Sequence, residues 1–532
     1  MKSPLVCRMK PYIQPFERTL ALAELSALAD ANPIPIDAHT GHPLRFSISP
    51  RVAPTTLARR LAYWEIIEGD RTYLTTQVLR ERTATVIRNG VQTQEIPQLL
   101  LLDEMVLPNR RCLRYGTHGI HEYRGKFFPQ LVRSLINIAG VPTGGVVADP
   151  MCGSGTTSVE TVLGECRALG LDMNPLSVLM ARTKCSLLSV NPERLTSAYE
   201  RIRNQLMKPL TKRNSRLAYF SALSQGDQKY LSGWFSEQVL QDLDEVARVI
   251  QSSDEGVVDF FRLCLSNIIR SVSWQKEDDL RVRKEVRFDA EIDPIRDFLE
   301  ETGRSVRIVL SFLHHNQRTR LGSSDISEGD ARDLGAVWQQ WKRRIDCVIT
   351  SPPYATALPY LDTDRLSLCY LGLLPRPKHR SHDQHMIGNR EISEKQRSSY
   401  WEFFEQNKSV LPNSVSALIQ NVNSLNSKIE VGFRRRNLPA LLIKYFADMR
   451  RVLEGIATVL KPGCPAYVVI GNNHTIAGGE RVEIETANLL VDVAETAGMI
   501  LKRRIPMEML ASRDIFRRNA VASEEILCFE AP

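Results

Sequence analysis

A short run near residue 350 brings together side chains and backbone groups that could bind an amine. Residues 346–350 read as a buried strand, and Ser351, Pro352, Pro353 and Tyr354 follow directly. Because proline lacks a backbone N–H and Pro352 disfavours a helical conformation at Ser351, the strand end is stiff and its carbonyl oxygens stay free. An exocyclic amino group could donate to these acceptors while its ring stacks on Tyr354. A proline pair at a strand end also occurs as a plain loop, so the pattern alone leaves both interpretations open.

A glycine-rich turn is the second candidate for chemistry. It joins a short apolar strand, Val146 to Asp149, to a predicted helix. Small residues let the backbone approach a ligand closely, and the helix N-terminus offers free N–H groups. No Gly-Lys-Ser/Thr sequence follows, which argues against the phosphate loop of a nucleotide hydrolase. The turn and the first residues of the helix are Pro150, Met151, Cys152, Gly153, Ser154, Gly155, Thr156 and Thr157.

An acidic residue ends the next predicted strand, residues 167–172. Asp172 follows the glycines by about twenty residues, the spacing at which a carboxylate meets ribose hydroxyls in a nucleotide-binding βαβ unit. Asn174 is predicted to cap the next helix, with Pro175 at its first position. Asp172 could instead be only a turn residue, but its neighbouring glycine turn favours the ribose interpretation.

Together these segments resemble the motifs of S-adenosylmethionine-dependent amino-methyltransferases of DNA. Residues 350–354, Thr-Ser-Pro-Pro-Tyr, are similar to the catalytic motif of that family, and the serine form is most often seen in its cytosine-N4 branch. Residues 149–157 resemble the cofactor loop nearly residue for residue. The resemblance covers about 118–185 and 325–532. It implies an α/β fold with a Rossmann-like class I methyltransferase sheet, and S-adenosylmethionine as the cofactor.

Two further segments resemble cofactor-binding elements of the family. Lys126 and Phe128 precede a helix that starts with proline, as in the motif that closes one side of the methionine pocket, although a hydrophobic staple is the alternative. Asp330 resembles the acid that accepts from the adenine amino group, although a simple turn would also place an acid there. The cofactor-binding residues that the resemblance implies are Lys126, Phe128, Asp149, Pro150, Cys152, Gly153, Ser154, Gly155, Thr156, Thr157, Asp172, Asn174 and Asp330.

The resemblance also implies the reaction, with Ser351, Pro352, Pro353 and Tyr354 as the catalytic residues. The amine would donate hydrogen bonds to the Ser351 hydroxyl and the Pro352 carbonyl, and Tyr354 would hold a flipped-out base flat. The implied activity is site-specific methylation of the cytosine-N4 amine in double-stranded DNA. Alternatives left open are adenine-N6 methylation of DNA, amino methylation of RNA, and a non-catalytic DNA-binding subunit that retains the fold. Companion restriction or defence proteins would be further partners.

Four segments are predicted to organise the chain. Residues 1–110 form an N-terminal domain of unknown role, 111–185 the first part of the methyltransferase core, 186–320 a helical insertion, and 321–532 the second part. The insertion, through its charged stretch at 273–287, or the basic stretch 375–436 could contact the target.

Several helices and strands are predicted from the spacing of hydrophobic residues and from the glycines and prolines that interrupt it. In the N-terminal domain they are a helix over Leu57 to Glu68 and strands within Arg71 to Gln94. Residues 375–400 read as a basic loop, and His379, His382 and His385 lack a partner at metal-ligand spacing, so no metal is expected. The later predictions are helices over 355–371, Leu438 to Leu460 and Glu483 to Ala497, strands over Ala466 to Gly471, Ile500 to Pro506 and Glu525 to Phe529, and a basic loop over Arg513 to Asn519.

The composition of the 532-residue chain is that of a soluble globular protein, with 43% hydrophobic and 24% charged residues. No apolar run is long enough for a transmembrane helix and no signal-peptide pattern is seen, so we expect a cytoplasmic protein without a membrane partner. The ten cysteines are scattered, which argues against a disulfide framework or a zinc ribbon. The net charge of +8 is compatible with nucleic acid.

Overall fold

The computed structural model describes residues 4–37, 43–88, 110–123, 125, 127–208, 217–276, 283–286, 292–316, 320–355, 360–407, 409–508 and 523–532. Its strands are β1 (Leu5–Met9), β2 (Ile34–Pro35), β3 (Arg45–Ile48), β4 (Trp64–Glu68), β5 (Thr72–Leu74), β6 (Val146–Asp149), β7 (Arg167–Asp172), β8 (Ser323–Glu328), β9 (Cys347–Thr350), β10 (Pro465–Gly471), β11 (Asn473–Ala477), β12 (Glu480–Ile484), β13 (Ile500–Glu508) and β14 (Ser523–Glu530). Its helices are α1 (Pro15–Ala29), α2 (Pro54–Arg60), α3 (Thr76–Arg88), α4 (Pro129–Ile138), α5 (Thr156–Leu163), α6 (Pro175–Ser186), α7 (Pro192–Leu206), α8 (Ala218–Ala222), α9 (Gln225–Leu231), α10 (Glu237–Gln251), α11 (Val258–Ile269), α12 (Pro294–Asn316), α13 (Leu334–Val337), α14 (Tyr360–Tyr370), α15 (His379–His385), α16 (Glu394–Gln406), α17 (Asn413–Ser427), α18 (Phe433–Val459) and α19 (Thr486–Thr496).

A seven-stranded sheet with the order β13-β14-β10-β9-β6-β7-β8 lies at the centre of the molecule. From β8 to β10 neighbouring strands are parallel, whereas β14 runs antiparallel to both of its neighbours. The chain begins the sheet at β6, moves outward through β7 and β8, and returns to the other side of β6 as β9. In open α/β sheets this reversal point is where ligands bind, outside the carboxyl ends of the strands. The predicted Rossmann-like class I methyltransferase sheet is confirmed.

Helices or the N-terminal segment cover both faces of this sheet at its centre, whereas the edge strand β8 is largely exposed. All four residues of β6 and of β9 are buried. Alternate residues face opposite sides: Ala148 and Val348 pack towards α17, α18 and α19, and Val147 and Ile349 pack towards α1 and α4. Burial on two faces explains why these strands read as continuous hydrophobic runs.

The N-terminal segment forms its own five-stranded sheet, in the order β2-β3-β1-β4-β5, and shares a core with one face of the central sheet. The predicted helix over Leu57 to Glu68 is wrong in its second half, because the helix ends at Arg60 and Trp64–Glu68 is β4, paired with β1. The strands predicted within Arg71 to Gln94 are wrong beyond Leu74, since α3 follows. Residues 89–94 lie outside the described residues.

The predicted insertion is helical, with α7 to α12 packed into a core that also includes α6 and α14. Its charged stretch is described only in part, with Arg281 and Arg287 outside the described residues. Lys284 places its ammonium group 4.8 Å from the centre of the Trp274 ring. None of the described helices is both long and apolar enough to cross a membrane.

In the second half of the chain, the helix over 438–460 and the strands over 466–471, 500–506 and 525–529 are confirmed. The loop predicted over 375–400 is wrong, because α15 and α16 occupy much of it. A capping box formed by Ser393 and Gln396 starts α16. The hairpin of β11 and β12 was missed, so the helix expected from Glu483 begins only at Thr486. The basic loop Arg513 to Asn519 lies outside the described residues.

Candidate active site

A cavity lies where the carboxyl ends of β6 and β9 meet. The two strands pair in parallel, with Ala148 opposite Val348, so the glycine-rich turn and the double-proline run leave the sheet at the same edge. Together they line a cavity of about 310 Å³, within the range of about 300–1,000 Å³ that small-molecule sites occupy. Gly153 and Tyr354 both line it, although about two hundred residues separate them along the chain.

Most of the residues singled out in the sequence are part of this cavity wall. They are Phe128, Pro150, Cys152, Gly153, Ser154, Thr156, Asp172, Asn174, Ser351, Pro352, Pro353 and Tyr354. Lys126 lies outside the described residues. Asp149, Gly155, Thr157 and Asp330 are described but are not among the residues that line the cavity.

Short-range hydrogen bonds shape the glycine-rich turn. Gly153 N donates to Asp172 Oδ2 at 2.8 Å, and Cys152 N donates to Leu171 O at 2.9 Å. Both bonds tie the turn to the end of β7. Gly153 has φ +48°, and a Cβ at this position would come within 2.9 Å of the Tyr123 ring. Glycine is therefore required here both by the backbone conformation and by the close approach of Tyr123.

Gly155 is required for helix packing. It has φ +81°, and a Cβ there would lie 2.7 Å from Ala181 Cβ and 2.8 Å from Ala181 Cα. Gly155 is the N-cap residue of α5, so the start of α5 and α6 approach each other closely at this point. The two glycines of the motif consequently have different tasks, one at the cavity and one behind it.

Asp172 presents a carboxylate that is already oriented by the backbone. Its Oδ2 accepts from Gly153 N and its Oδ1 accepts from Asn174 N, each at 2.8 Å. Burial raises the pKa of Asp172 to about 6, and the backbone N–H groups partly offset this effect. Since each carboxylate oxygen can accept more than one hydrogen bond, Asp172 can still accept from hydroxyl groups in the cavity.

Asp149 and Thr157 do not line the cavity, but their hydrogen bonds support the glycine-rich turn and the strand before the double-proline run. Asp149 Oδ1 accepts from Met151 N at 3.2 Å, and burial raises the pKa of Asp149 to about 7. Thr157 Oγ1 donates to Ile349 O at 3.2 Å, which joins the start of α5 to β9. These contacts connect the glycine turn to the strand that carries the double proline.

One buried hydroxyl group points to a ligand on this side of the cavity. Ser154 Oγ is buried and has no hydrogen-bond partner among the described residues. Leaving a buried hydroxyl unpaired costs about 1–3 kcal/mol, so such a group usually binds a ligand or water. Together with the Asp172 oxygens, which accept hydrogen bonds, and the close backbone at Gly153, this hydroxyl fits a ligand that carries ribose hydroxyls and an amino-acid end.

On the opposite side, the double-proline run is held by contacts from distant parts of the chain. The Tyr354 hydroxyl donates to Glu524 Oε1 at 2.5 Å. The backbone of Gly388 lies against the run, since a Cβ there would be 3.0 Å from Pro353 Cβ and 3.1 Å from Tyr354 O. Asn174 Nδ2 donates to Asp364 Oδ2 of α14 at 3.0 Å, which links this half to the cofactor half.

Sequence reasoning missed several residues of the cavity. Tyr123, Met386 and Glu524 all line it, yet none lies in a motif that carries a chemical signal. Met173 also lines it and could have been found, because it directly follows Asp172. The other three come from separate elements and could not be assigned before the fold was known.

Asp330 follows the end of β8 as expected, but its carboxylate binds Arg332 and it is not among the residues that line the cavity. Its carboxylate accepts from Arg332 Nε at 2.9 Å, and Arg332 Nη1 also donates to Asp448 Oδ1 at 3.0 Å. Burial alone would raise the pKa of Asp330, but the hydrogen bonds from Arg332 hold it below its usual value. Asp330 caps the short 3₁₀ turn that follows β8, while its neighbours Gly329 and Ala331 line the cavity.

The three histidines at 379–385 make bonds to the backbone. His379 Nε2 lies 2.8 Å from Leu374 O, and His382 Nε2 lies 2.9 Å from Met173 O. His385 Nδ1 lies 2.6 Å from the carbonyl oxygen one turn before it. His382 thus attaches α15 to the cofactor side of the cavity.

Comparisons with known proteins show what the chain is similar to. Residues 121–186, which include the glycine-rich turn and Asp172, match the family UPF0020, described as RMKL-like, methyltransferase domain. The chain is 24% identical over 437 residues to Type II methyltransferase M.BsoBI of Geobacillus stearothermophilus, covering 75% of this chain and 82% of that protein. It is 21% identical over 367 residues to Type II methyltransferase M.MvaI of Kocuria varians, covering 67% and 77%.

Among solved structures, TrmN from Thermus thermophilus aligns with 99% of this chain and 99% of its own, at 11% identity and a TM-score of 0.32. The matched domain and the curated relatives confirm the resemblance that the motifs suggested. The chain is a methyltransferase, and its methyl donor is S-adenosylmethionine.

Proposed function

We propose that the protein methylates the exocyclic N4 amine of cytosine at a specific site in double-stranded DNA. The observation that carries the proposal is the shared cavity, in which the Ser351–Tyr354 run lies opposite the Gly153 turn. A serine at the first position of the run favours cytosine over adenine. The relatives named Type II methyltransferases support a role in restriction-modification or phage defence, beside companion proteins.

S-adenosylmethionine supplies a methyl group that its sulfonium already activates, so the protein mainly has to bind and orient. On the cofactor side, Asp172 would accept hydrogen bonds from ribose hydroxyls, and the Gly153 turn would let the backbone approach the cofactor closely. Phe128 and the Ser154 hydroxyl contribute to the same wall.

On the target side, the residues act on an amine that is a poor nucleophile because its lone pair is delocalised into the ring. The Ser351 hydroxyl and the Pro352 carbonyl accept its two N–H groups, which favours a tetrahedral nitrogen with an exposed lone pair. Tyr354 stacks on the base and holds it flat. The base must leave the duplex for this, since its amine is otherwise inside the stack.

We assign the contact with DNA to the basic stretch 375–436. Arg434, Arg435 and Arg436 are exposed at the start of α18. Arg434 Nη2 donates to Glu391 Oε1 at 3.0 Å, so the adjacent exposed Arg390 belongs to the same surface. Two residues before Arg390, the Gly388 backbone touches the Ser351–Tyr354 run, and this proximity supports a DNA-contacting surface beside the mouth of the target site. Lys and Arg side chains there can neutralise phosphates flanking the base.

Nucleoside analysis tests the proposal. DNA is incubated with the protein and S-adenosylmethionine, digested to nucleosides, and the modified nucleoside is identified. We expect N4-methylcytosine. N6-methyladenine alone would assign the adenine branch, a product found only in RNA would change the substrate class, and S-adenosylmethionine binding without any product would favour a non-catalytic DNA-binding subunit. Incubating unmethylated DNA with magnesium tests for an accompanying nuclease.

A further inference from the structure

One carboxylate of the cavity wall belongs to none of the motifs that carry the reaction. The described lining residues include two carboxylates, Asp172 on the cofactor side and Glu524 on the target side. Both oxygens of Asp172 accept from backbone N–H groups. The carboxylate of Glu524 instead accepts a hydrogen bond from a side chain, the hydroxyl of Tyr354.

The direction of β14 explains how Glu524 reaches this site. Because β14 runs antiparallel to β10, its first residues lie at the sheet edge where the parallel strands end. Glu524 is opposite Gly471 of β10 and Met507 of β13, and Met507 also lines the cavity. The backbone of Glu524 is thus held in the middle strand of three, and its carboxylate supports the Tyr354 side chain through their hydrogen bond.

The task of Tyr354 requires such a support. A ring that stacks on a base must keep its plane within about 10–20° of the productive orientation. The backbone of the double-proline run is stiff, but it does not restrict rotation of the Tyr354 ring about its side-chain bonds. A hydrogen bond from the phenol to a carboxylate is charge-assisted and stronger than a neutral one. It restrains the ring at the end farthest from the backbone.

We propose that Glu524 is a positioning residue for the target base. Its carboxylate holds the Tyr354 hydroxyl, so that the ring is already oriented when the base enters the cavity. This inference rests on the proposed function, since it assigns Glu524 to the half of the cavity that receives the DNA base. The competing role is a purely structural anchor between β14 and the catalytic run.

Four variants separate these roles: Glu524→Ala, Glu524→Gln, Tyr354→Phe, and the double variant Tyr354→Phe/Glu524→Ala. For each we would measure kcat, KM for DNA, S-adenosylmethionine affinity by calorimetry, and the thermal midpoint. Glu524→Ala and Tyr354→Phe are each expected to lower kcat/KM for DNA by about tenfold. The double variant is expected to be no worse than either single variant, because both remove the same bond. Glu524→Gln should retain most activity, since the amide oxygen still accepts from the phenol.

Glu525→Ala provides the matched control. Glu525 is the next residue on β14, its carboxylate lies 3.7 Å from Arg504 Nη1, and it is not among the residues that line the cavity. Its kinetic constants should equal those of the wild type. Cofactor affinity should be unchanged in every variant.

Two results would overturn the inference while leaving the methyltransferase intact. One is multiplicative losses in the double variant, which would mean that the two side chains act independently. The other is wild-type kcat/KM in Glu524→Ala. A wild-type protein that transfers no methyl group to any DNA would instead refute the proposed function, and the role of Glu524 with it.

Discussion

On the cofactor side of the cavity, the residues that bond to each other are close in sequence, with Gly153 and Asp172 only 19 residues apart. On the target side, Tyr354 and Glu524 are 170 residues apart, and Gly388 closes over the same run from a third element. The first half is a single strand–turn–helix–strand unit whose glycine turn is held by hydrogen bonds within the unit, although Thr157 and Asn174 also bond to distant elements. The second half is formed by residues from several elements that only tertiary folding brings together.

This difference suggests how each half can change. A compact βαβ unit is specified by a short string of residues, so most of its internal contacts are between residues close in sequence. A wall assembled from distant elements can vary one residue at a time, which suits a site that must distinguish between targets. Substitutions on the two sides should therefore affect separate measured quantities.

The largest expected effect is on the target side. Tyr354→Ala removes base stacking worth about 1–3 kcal/mol, which corresponds to a loss in kcat/KM for DNA of between about fivefold and about 150-fold. S-adenosylmethionine affinity, measured by calorimetry, should stay at the wild-type value. A parallel loss of cofactor affinity would contradict the separation of the two halves.

Substitutions in the basic surface at Arg434, Arg435 and Arg436 should change DNA binding and leave S-adenosylmethionine affinity unchanged. Replacing Arg434, Arg435 and Arg436 together by glutamine should flatten the plot of log affinity against log salt concentration by about 0.9 for each phosphate that is no longer neutralised. The control variant replaces Arg201 and Arg203, which are exposed on α7 of the insertion. If the control changes the salt dependence and the triple variant does not, the DNA-binding surface belongs to the insertion.

On the cofactor side, affinity should depend on pH through Asp172. Because burial raises its pKa to about 6, lowering the pH below 6 protonates the carboxylate and should weaken S-adenosylmethionine binding by at most about tenfold per pH unit. Asp172→Asn should bind more weakly at pH 8 and lack this titration. Calorimetry from pH 5 to 8 measures both, and an identical pH profile in the variant would remove Asp172 from the cofactor site.

Whereas cofactor affinity should rise with pH, the stability that Asp172 gives to the unliganded protein should fall with pH. Folding raises the pKa of Asp172 from 3.8 to about 6, so between these values the native state binds more protons than the unfolded chain. The contribution of Asp172 to the free energy of unfolding therefore falls as the pH rises through this window. Comparing the thermal midpoints of the wild type and Asp172→Asn across it, without ligand, checks the sign.

A last expected effect, on stability alone, separates Gly155 of the cofactor turn from an ordinary left-handed glycine. Gly155→Ala meets both a φ of +81° and the backbone of Ala181, whereas Gly140→Ala meets a φ of +64° with nothing within 4 Å. Gly140→Ala should cost about 1–2 kcal/mol in stability for its conformation alone. Gly155→Ala should cost a further 1–3 kcal/mol or so for overpacking, seen as a lower thermal midpoint. Equal midpoints would mean that α5 moves away from α6 without cost.

Sequence patterns singled out both loops that line the cavity because each is a local signal. A glycine turn followed by an acid at the end of the next strand needs no knowledge of the remaining chain, and neither does a proline pair that stops an apolar strand. Patterns failed where tertiary pairing competes with local preference. Trp64–Glu68 has helical spacing, yet it is drawn into a strand by pairing with β1 and burial of Trp64. At Asp330 the pattern placed an acid correctly at a strand end, but only the arrival of Arg332 and Asp448 decided where its carboxylate points.

By itself, the sequence determined the glycine-rich turn with its following acid, the stiffness of the strand end at Pro352 and the apolar strands that lead into both loops. These follow from backbone conformations and hydrophobic runs that each segment carries alone. Only the tertiary structure decided that the two loops leave adjacent strands and that Glu524 faces Tyr354. That outcome depends on the order of strands and on the reversed direction of β14, and strand order is set by packing among segments hundreds of residues apart.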